Sequence, residues 1–442
     1  MARPIVALVG RPNTGKSTLF NVLAGERISI VQDTPGITRD RIYADVNWTG
    51  RNFTVVDTGG IEPDSKDIIL SQMREQAQIA IDTADVIIFI TDVKAGLSDA
   101  DLKVADMLRR SHKKVVLCVN KVDNFEKSQY DVYEFYNLGM GEPIAISATQ
   151  MKGLGDLMDE VVNNLPEKDP GEEDDDRIKV AIVGKPNVGK SSIVNKLIGS
   201  NRVIVSDVAG TTRDAVDTEI KHDGRDYVFI DTAGLRRKSK VDTSLEHYMI
   251  LRTVGAVERA DVTVIVIDAN EGVTEQDAKI AGIAHDRGKG CIIAVNKWDL
   301  IEKNNSTVKE YTEKIRNTLS FMPYAQIMFI SAETGQRLPK LFDMIDMVVD
   351  SATRRVQTGV LNEIVTEATA LQQPPSDKGK PLKIRYTTQV GVKPPTFVVF
   401  VNDRELMHFS YLRYLENKIR DAFGFVGTPL KFVVKEKGGD ML

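Results

Sequence analysis

Two short stretches of this 442-residue chain carry the residue types and spacing for phosphate chemistry. Gly10-Arg11-Pro12-Asn13-Thr14-Gly15-Lys16-Ser17 follows an apolar run and opens a helical pattern, and Gly184-Lys185-Pro186-Asn187-Val188-Gly189-Lys190-Ser191 repeats it. The glycines let backbone N–H groups turn inward around an anion, and the helix N-terminus adds its partial positive charge. Lys16 and Lys190 are expected to reach the β- and γ-phosphates of a nucleoside triphosphate. Ser17 and Ser191 are expected to hold Mg2+, with Thr18 and Ser192 beside them in the same helical turn. Asn13 and Asn187, inside the loops, are candidates to coordinate a monovalent cation; the alternative is that each is a turn residue.

Later motifs continue both copies in the same order, the first two at identical offsets. Thr38 and Thr212 lie 22 residues after the loop lysines, where a hydroxyl and a backbone N–H can meet Mg2+ and the γ-phosphate and lose that contact on hydrolysis. Asp57-Thr58-Gly59-Gly60 and Asp231-Thr232-Ala233-Gly234 begin 41 residues after the lysines. Their carboxylates are placed to hold Mg2+, and the Gly60 and Gly234 amides to sense the γ-phosphate. Asn120-Lys121-Val122-Asp123 and Asn296-Lys297-Trp298-Asp299 each close an apolar run. A carboxylate there accepts from guanine N1–H and the exocyclic amine. Adenine offers neither donor, so the pattern favours GTP over ATP by several kcal/mol. Ser147-Ala148 and Ser331-Ala332 are expected to support the base, the two alanine amides at guanine O6. Ile61 and Leu235 stand where Ras-like enzymes keep a water-orienting Gln, and no general base is evident, which predicts slow intrinsic turnover.

The elements that must position these groups alternate in type. Strand patterns at 5–9, 42–48, 53–57, 86–91, 115–120 and 143–147 are separated by amphipathic stretches such as 65–83, 98–110 and 154–165. A shift of 174 residues superposes Gly10 on Gly184, Lys16 on Lys190 and Asp57 on Asp231 without a gap, so the domain is duplicated. Strand–helix alternation predicts α/β domains, each a mostly parallel sheet with helices on both faces. We expect a first P-loop domain at 1–165, an acidic linker at 166–176, a second P-loop domain at 177–352 and an α+β domain at 353–442. The linker has seven acids against one lysine and is expected to stay solvated, leaving the first domain free to reorient.

Composition sets outer bounds. With 42% hydrophobic and 27% charged residues the chain reads as globular, and no run approaches the ~18 apolar residues of a membrane span. Cys118 and Cys291 fall in apolar runs and are expected as buried, reduced thiols. None of the five histidines has ligand spacing. The net charge is −5, yet residues 352–442 hold 14 Lys and Arg against 9 Asp and Glu. This basic tail fits either an anionic partner or a solvated surface. Arg236-Arg237-Lys238-Ser239-Lys240, absent from the first copy, is likewise either a state-dependent contact to RNA or an acidic surface, or a solvated face.

The tail reads α-β-β-α-β, an order that resembles a KH-type RNA-binding fold. KH domains clamp nucleotides with a Gly-x-x-Gly loop between two helices. Here Gly424-Phe425-Val426-Gly427 falls before the last strand, which suits a helix C-cap and turn.

Tandem Gly-x-Pro-Asn-x-Gly-Lys-Ser loops, two Thr-Arg-Asp segments (38–40 and 212–214), an acidic linker and a basic α+β tail resemble the bacterial double GTPases of the Der (EngA) family over essentially the whole chain. Thr14 departs from the valine usual there, which Val188 keeps. The resemblance implies a cytoplasmic GTPase with GTP/GDP, Mg2+ and K+, assisting large ribosomal subunit maturation by binding rRNA. It also implies a KH-like domain lying between the two GTPase domains. A monomer is expected, with no DNA partner. The alternative is an RNA-binding scaffold in which one domain binds GTP without turning it over. A P-loop small-molecule kinase is disfavoured, since neither half offers an acceptor-binding lid.

Overall fold

Strands and helices alternate along both halves of the chain, and the sheets they build place the expected motifs that fall among the described residues at the carboxyl ends of strands. The structure is a computed structural model that describes residues 3–25, 43–59, 66–167, 176–199, 203–205, 217–232, 245–377 and 380–436. The chain divides into two compact units, Met1–Asp175 with Lys240–Glu258, and Asp176–Ser239 with Arg259–Leu442.

In the first unit, β1 (Ile5–Gly10), β2 (Tyr43–Trp48), β3 (Arg51–Asp57), β4 (Val86–Asp92), β5 (Lys114–Asn120) and β6 (Ile144–Ala145) form a sheet in the order β2-β3-β1-β4-β5-β6. All neighbours are parallel except β2 and β3. Helices α1 (Lys16–Ala24), α2 (Lys66–Thr83), α3 (Asp99–Arg110), α4 (Phe125–Tyr133) and α5 (Leu154–Asn164) complete it. Successive residues of β1 point to opposite faces, and both faces are covered. Ile5, Ala7 and Val9 pack with Met73, Ala77, Val104 and Leu108, while Val6 and Leu8 pack with Leu19, Leu23, Leu157 and Val161. That two-sided burial is why β1 and β4 read as unbroken apolar runs rather than alternating ones. Residues 240–258, which fall within the span expected for the second domain, belong to this unit, and Leu251 joins its core cluster.

The second unit repeats the plan with one more edge strand. Strands β7 (Ile178–Val183), β8 (Val203–Val205), β9 (Thr218–His222), β10 (Arg225–Ile230), β11 (Val262–Asp268), β12 (Gly290–Asn296) and β13 (Gln326–Phe329) run in the order β13-β12-β11-β7-β10-β9-β8. Its helices are α6 (Lys190–Ile198), α8 (Glu275–Asp286), α9 (Thr307–Thr318) and α10 (Lys340–Thr353), while α7 (Leu245–Arg259) falls, but for its last residue, in the first unit. The strand order changes direction beside β1 and β7. An open α/β sheet forms its ligand crevice at that point, beyond the carboxyl ends of the strands.

The same unit carries the C-terminal module: α11 (Thr358–Leu371), a hairpin of β14 (Ser376–Asp377) and β15 (Lys380–Pro381), then β16 (Ile384–Gly391), β17 (Thr396–Val401), α12 (Phe409–Phe423) and β18 (Lys431–Glu436). Its three-stranded sheet β16-β17-β18 buries Phe397, Val399 and Val401 against Leu361, Val365, Leu415 and Ile419 of the two helices. Gly424 is the left-handed C-cap of α12 (φ 68°), in the role the sequence suggested. Gly427 does something the sequence did not suggest. Its carbonyl accepts from the Cys291 amide at 2.7 Å and its own amide donates to the Tyr324 carbonyl at 3.1 Å, so the loop fastens the module to the start of β12. A Cβ there would lie 2.3 Å from Val348 Cγ2.

Several expectations shift in detail. The strand expected at 143–147 is only Ile144–Ala145, and α4 and the short strand β8 were not anticipated. Cys118 and Cys291 are buried free thiols. Residues 168–175 of the linker and Arg236–Lys240 lie outside the described residues.

Candidate functional site

Each phosphate-binding loop runs from a strand end into a helix start. Gly10 closes β1 and Lys16 opens α1, with Asn13 (φ 63°) and Gly15 (φ 94°) left-handed between them; Asn187 (φ 63°) and Gly189 (φ 97°) match them in the second copy. The loop folds onto its own lysine. Lys16 Nζ donates to the Gly10 and Arg11 carbonyls at 2.8 and 2.7 Å, and Lys190 Nζ to the Gly184 and Lys185 carbonyls at 2.7 and 2.6 Å. Burial holds both ammonium groups down at a pKa of about 8, partly offset by the Asp57 charge in one loop and Asp277 in the other. A cation this poorly solvated gains when an anion arrives.

Beside it, Ser17 Oγ donates to Asp57 Oδ2 at 3.0 Å, and the Gly59 amide donates to Asp57 Oδ1 at 2.9 Å. A hydroxyl and a carboxylate converging at the loop form an all-oxygen donor set, which fits a hard divalent cation such as Mg2+. Ser191 and Asp231 occupy the corresponding sequence positions at the start of α6 and the end of β10. The Asp231 amide is held by Asp217 Oδ1 at 2.9 Å. Thr38, Gly60, Thr212 and Gly234, with Ile61 and Leu235, lie outside the described residues.

At the far end, Asn120 and Asn296 act as cross-braces. Asn120 Nδ2 donates to the Thr14 carbonyl at 2.8 Å while its Oδ1 accepts from the Ala148 amide at 3.0 Å. Asn296 does the same with Val188 and Ala332, at 2.8 and 2.9 Å. The alanine amides expected at a guanine oxygen are thus already engaged, and they reach a base only by sharing that proton. A Cβ on Gly15 or Gly189 would stand 2.2 Å from the asparagine Nδ2, so only glycine admits this contact.

Lys121 Nζ bridges the Asn13 carbonyl (2.6 Å) and Asp92 (2.7 Å), and Lys297 pairs with Asp268 at 2.5 Å. The two carboxylates expected to read the base differ in their surroundings. Asp123 accepts from Ser147 Oγ at 2.9 Å and from Lys94 Nζ at 2.5 Å, and the Lys94 bond does most to hold its pKa below the usual carboxylate range. The residue matching Lys94 is Asn270, and Asp299 Oδ1 is buried with no hydrogen-bond partner among the described residues. A cavity of about 320 Å³ lies between Gly15, Thr18, Asn120, Asp123 and Lys94.

Sequence reasoning missed three residues that the fold brings here: Lys94, and the buried acids Asp101 and Asp277, which meet Arg11 and Lys185 of the loops. A signal existed for the acids, because Ser98-x-x-Asp101 and Thr274-x-x-Asp277 are capping boxes at matching places in the two copies.

A family profile described as 50S ribosome-binding GTPase matches residues 5–121 and 179–297, and one described as the KH-domain-like C-terminal part of EngA bacterial GTPase enzymes matches residues 355–435. The chain is similar to the GTPase Der of Agathobacter rectalis, 72% identical over 437 residues and covering 99% of both chains. It is also similar to those of Lachnospira eligens and Lachnoclostridium phytofermentans, each 69% identical over 437 residues with the same coverage.

Proposed function

Because this chain belongs to the GTPase Der family, and is therefore a GTPase built from two P-loop domains and a KH-like C-terminal domain, we propose that both loops hydrolyse GTP and that their nucleotide state controls binding to the large ribosomal subunit during its assembly. The observation that carries the double site is the repeated pairing of a lysine held on two loop carbonyls with an asparagine that ties the loop to the base-reading segment. On this reading Lys16 and Lys190 neutralise charge on the β- and γ-phosphates. Ser17, Thr38 and Asp57, with Ser191, Thr212 and Asp231, hold Mg2+, which supplies further charge neutralisation when bound. Asp123 and Asp299 test the base for two donors, and Asn13 and Asn187 are the candidate K+ ligands. With no evident general base among the described residues, the loops contribute positioning and electrostatics rather than proton transfer.

The ribosomal reading is supported by the description of the matched family and by the basic C-terminal segment. It extends to rRNA as the partner, nucleotide-dependent domain rearrangement, a cytoplasmic location and a monomeric chain. The test is co-sedimentation of the full chain with large ribosomal subunits under a GTP analogue, GDP and no nucleotide, for wild type, Lys16→Ala and Lys190→Ala. The reading expects strong binding in one nucleotide state, and at least a tenfold loss of phosphate release at the altered site. Binding indifferent to nucleotide would sink the switch.

A further inference from the structure

In both copies the loop residue after the first glycine has two jobs. The Arg11 carbonyl accepts from Lys16 Nζ at 2.7 Å and from Thr14 Oγ1 at 2.9 Å, making it the hub of the loop. Its guanidinium runs the other way, with Nε 3.0 Å from Asp101 Oδ2 and Nη2 donating to the Gly96 carbonyl at 3.0 Å. The Lys185 carbonyl likewise accepts from Lys190 Nζ at 2.6 Å, and its ammonium lies 3.5 Å from Asp277 Oδ2 and 2.7 Å from Glu271 Oε2.

Asp101 and Asp277 already have a local task. Each is the N3 residue of a capping box, bonded to Ser98 at the start of α3 or Thr274 at the start of α8. Both acids are fully buried, and each has an Oδ1 with no hydrogen-bond partner among the described residues. Burying a carboxylate at half its bonding capacity is costly, and helix capping alone gives no reason to do it twice. The copies also vary together: Arg11 goes with Ala95 and uses a carbonyl, whereas Lys185 goes with Glu271, at the position matching Ala95, and uses a carboxylate.

We propose that Asp101 and Asp277 are positioning residues for the phosphate-binding loops. Each anchors the side chain of Arg11 or Lys185, and so fixes the carbonyl that holds Lys16 or Lys190 in place for the phosphates. This rests on the reading that those lysines bind the phosphates, and it adds a support from outside the recognised motifs.

The test uses the full chain carrying Asp299→Asn, which removes guanine reading from the second site so that a fluorescent GDP analogue reports on the first. Arg11→Met and Asp101→Asn are each expected to weaken GDP binding about tenfold, the scale typical for loss of an outer support. The double variant should be no weaker than either single one, because the pair acts as a unit. Arg11→Lys with Ala95→Glu, which transplants the second copy's arrangement, should bind within about twofold of the parent. Melting temperature is recorded for each. Unchanged affinity with lowered melting, or losses that multiply in the double variant, would overturn the proposal. If Asp101→Asn fails to fold, Arg11→Met and the transplant decide it. The parent should bind one GDP per chain. Two would count against the base reading alone, and the resolved first-site affinity would still judge the brace.

Discussion

At Asp123 the carboxylate that would meet the base is already shared between Ser147 and Lys94, whereas Asp299 keeps an oxygen without a partner among the described residues. Guanine entering the first site must compete with a lysine, and in the second it meets no such rival. Exposed ion pairs are weak, so the effect is modest. Lys94→Asn should tighten GDP at the first site roughly two- to fivefold, and Asn270→Lys should loosen the second by a similar factor. Titration calorimetry on the full chain resolves the two sites, and opposite or absent shifts would remove Lys94 as a competitor. The placing of the loops, the two asparagines and the two acids expected to read the base was legible in the sequence because each motif is contiguous and sits at a strand end. Lys94, Asp101 and Asp277 were not, because their partners come from distant parts of the chain and only the fold brings them into reach.

Among the elements, the strongest two-sided strands were the easiest to read. Both β1 and β4 are buried along their full length, so composition alone marked them. Edges were harder: β6 is two residues long and β8 three, too short for a pattern. The Gly424–427 loop shows the difference between local and tertiary information, since the helix cap was readable but its fastening to Cys291 and Tyr324 was not. Tyr324, whose carbonyl takes part in this fastening, also meets His285, its OH 2.9 Å from Nδ1. Burial holds His285 down at a pKa of about 4, with Arg413 of α12 adding to the shift. The folded state therefore favours the neutral ring, while the unfolded chain takes up the proton near 6.5. Stability is intact above pH 6.5 and is lost as pH falls toward 4, by at most about 3 kcal/mol. Denaturant midpoints of His285→Phe should fall less steeply over that window than those of wild type; parallel slopes would show that this ring contributes nothing.

For the molecule as a whole, duplication was the clearest statement in the sequence, and the two sheets repeat one strand order with a single added edge. Both loops also keep a left-handed asparagine, Asn13 and Asn187, at the same φ. If these hold a monovalent cation, exchanging K+ for Na+ should slow GTP turnover at both sites, by roughly tenfold or more if the cation neutralises developing charge. In the Asp299→Asn and Asp123→Asn backgrounds, phosphate release assigns the effect to one site at a time. Equal rates in the two salts would return both asparagines to turn residues.

The contact in which Asn120 seats against Gly15, repeated by Asn296 on Gly189, has a mechanical meaning. One amide group ties the loop proposed to grip phosphate to the segment proposed to inspect the base, so a shift of either half strains the hydrogen bonds to the other. A fragment that engages either end stiffens the whole cleft and leaves less disorder for its other half to remove. On the proposed reading the nucleotide is sensed as a single object, and affinity for the intact molecule is expected to exceed what its separate pieces would suggest.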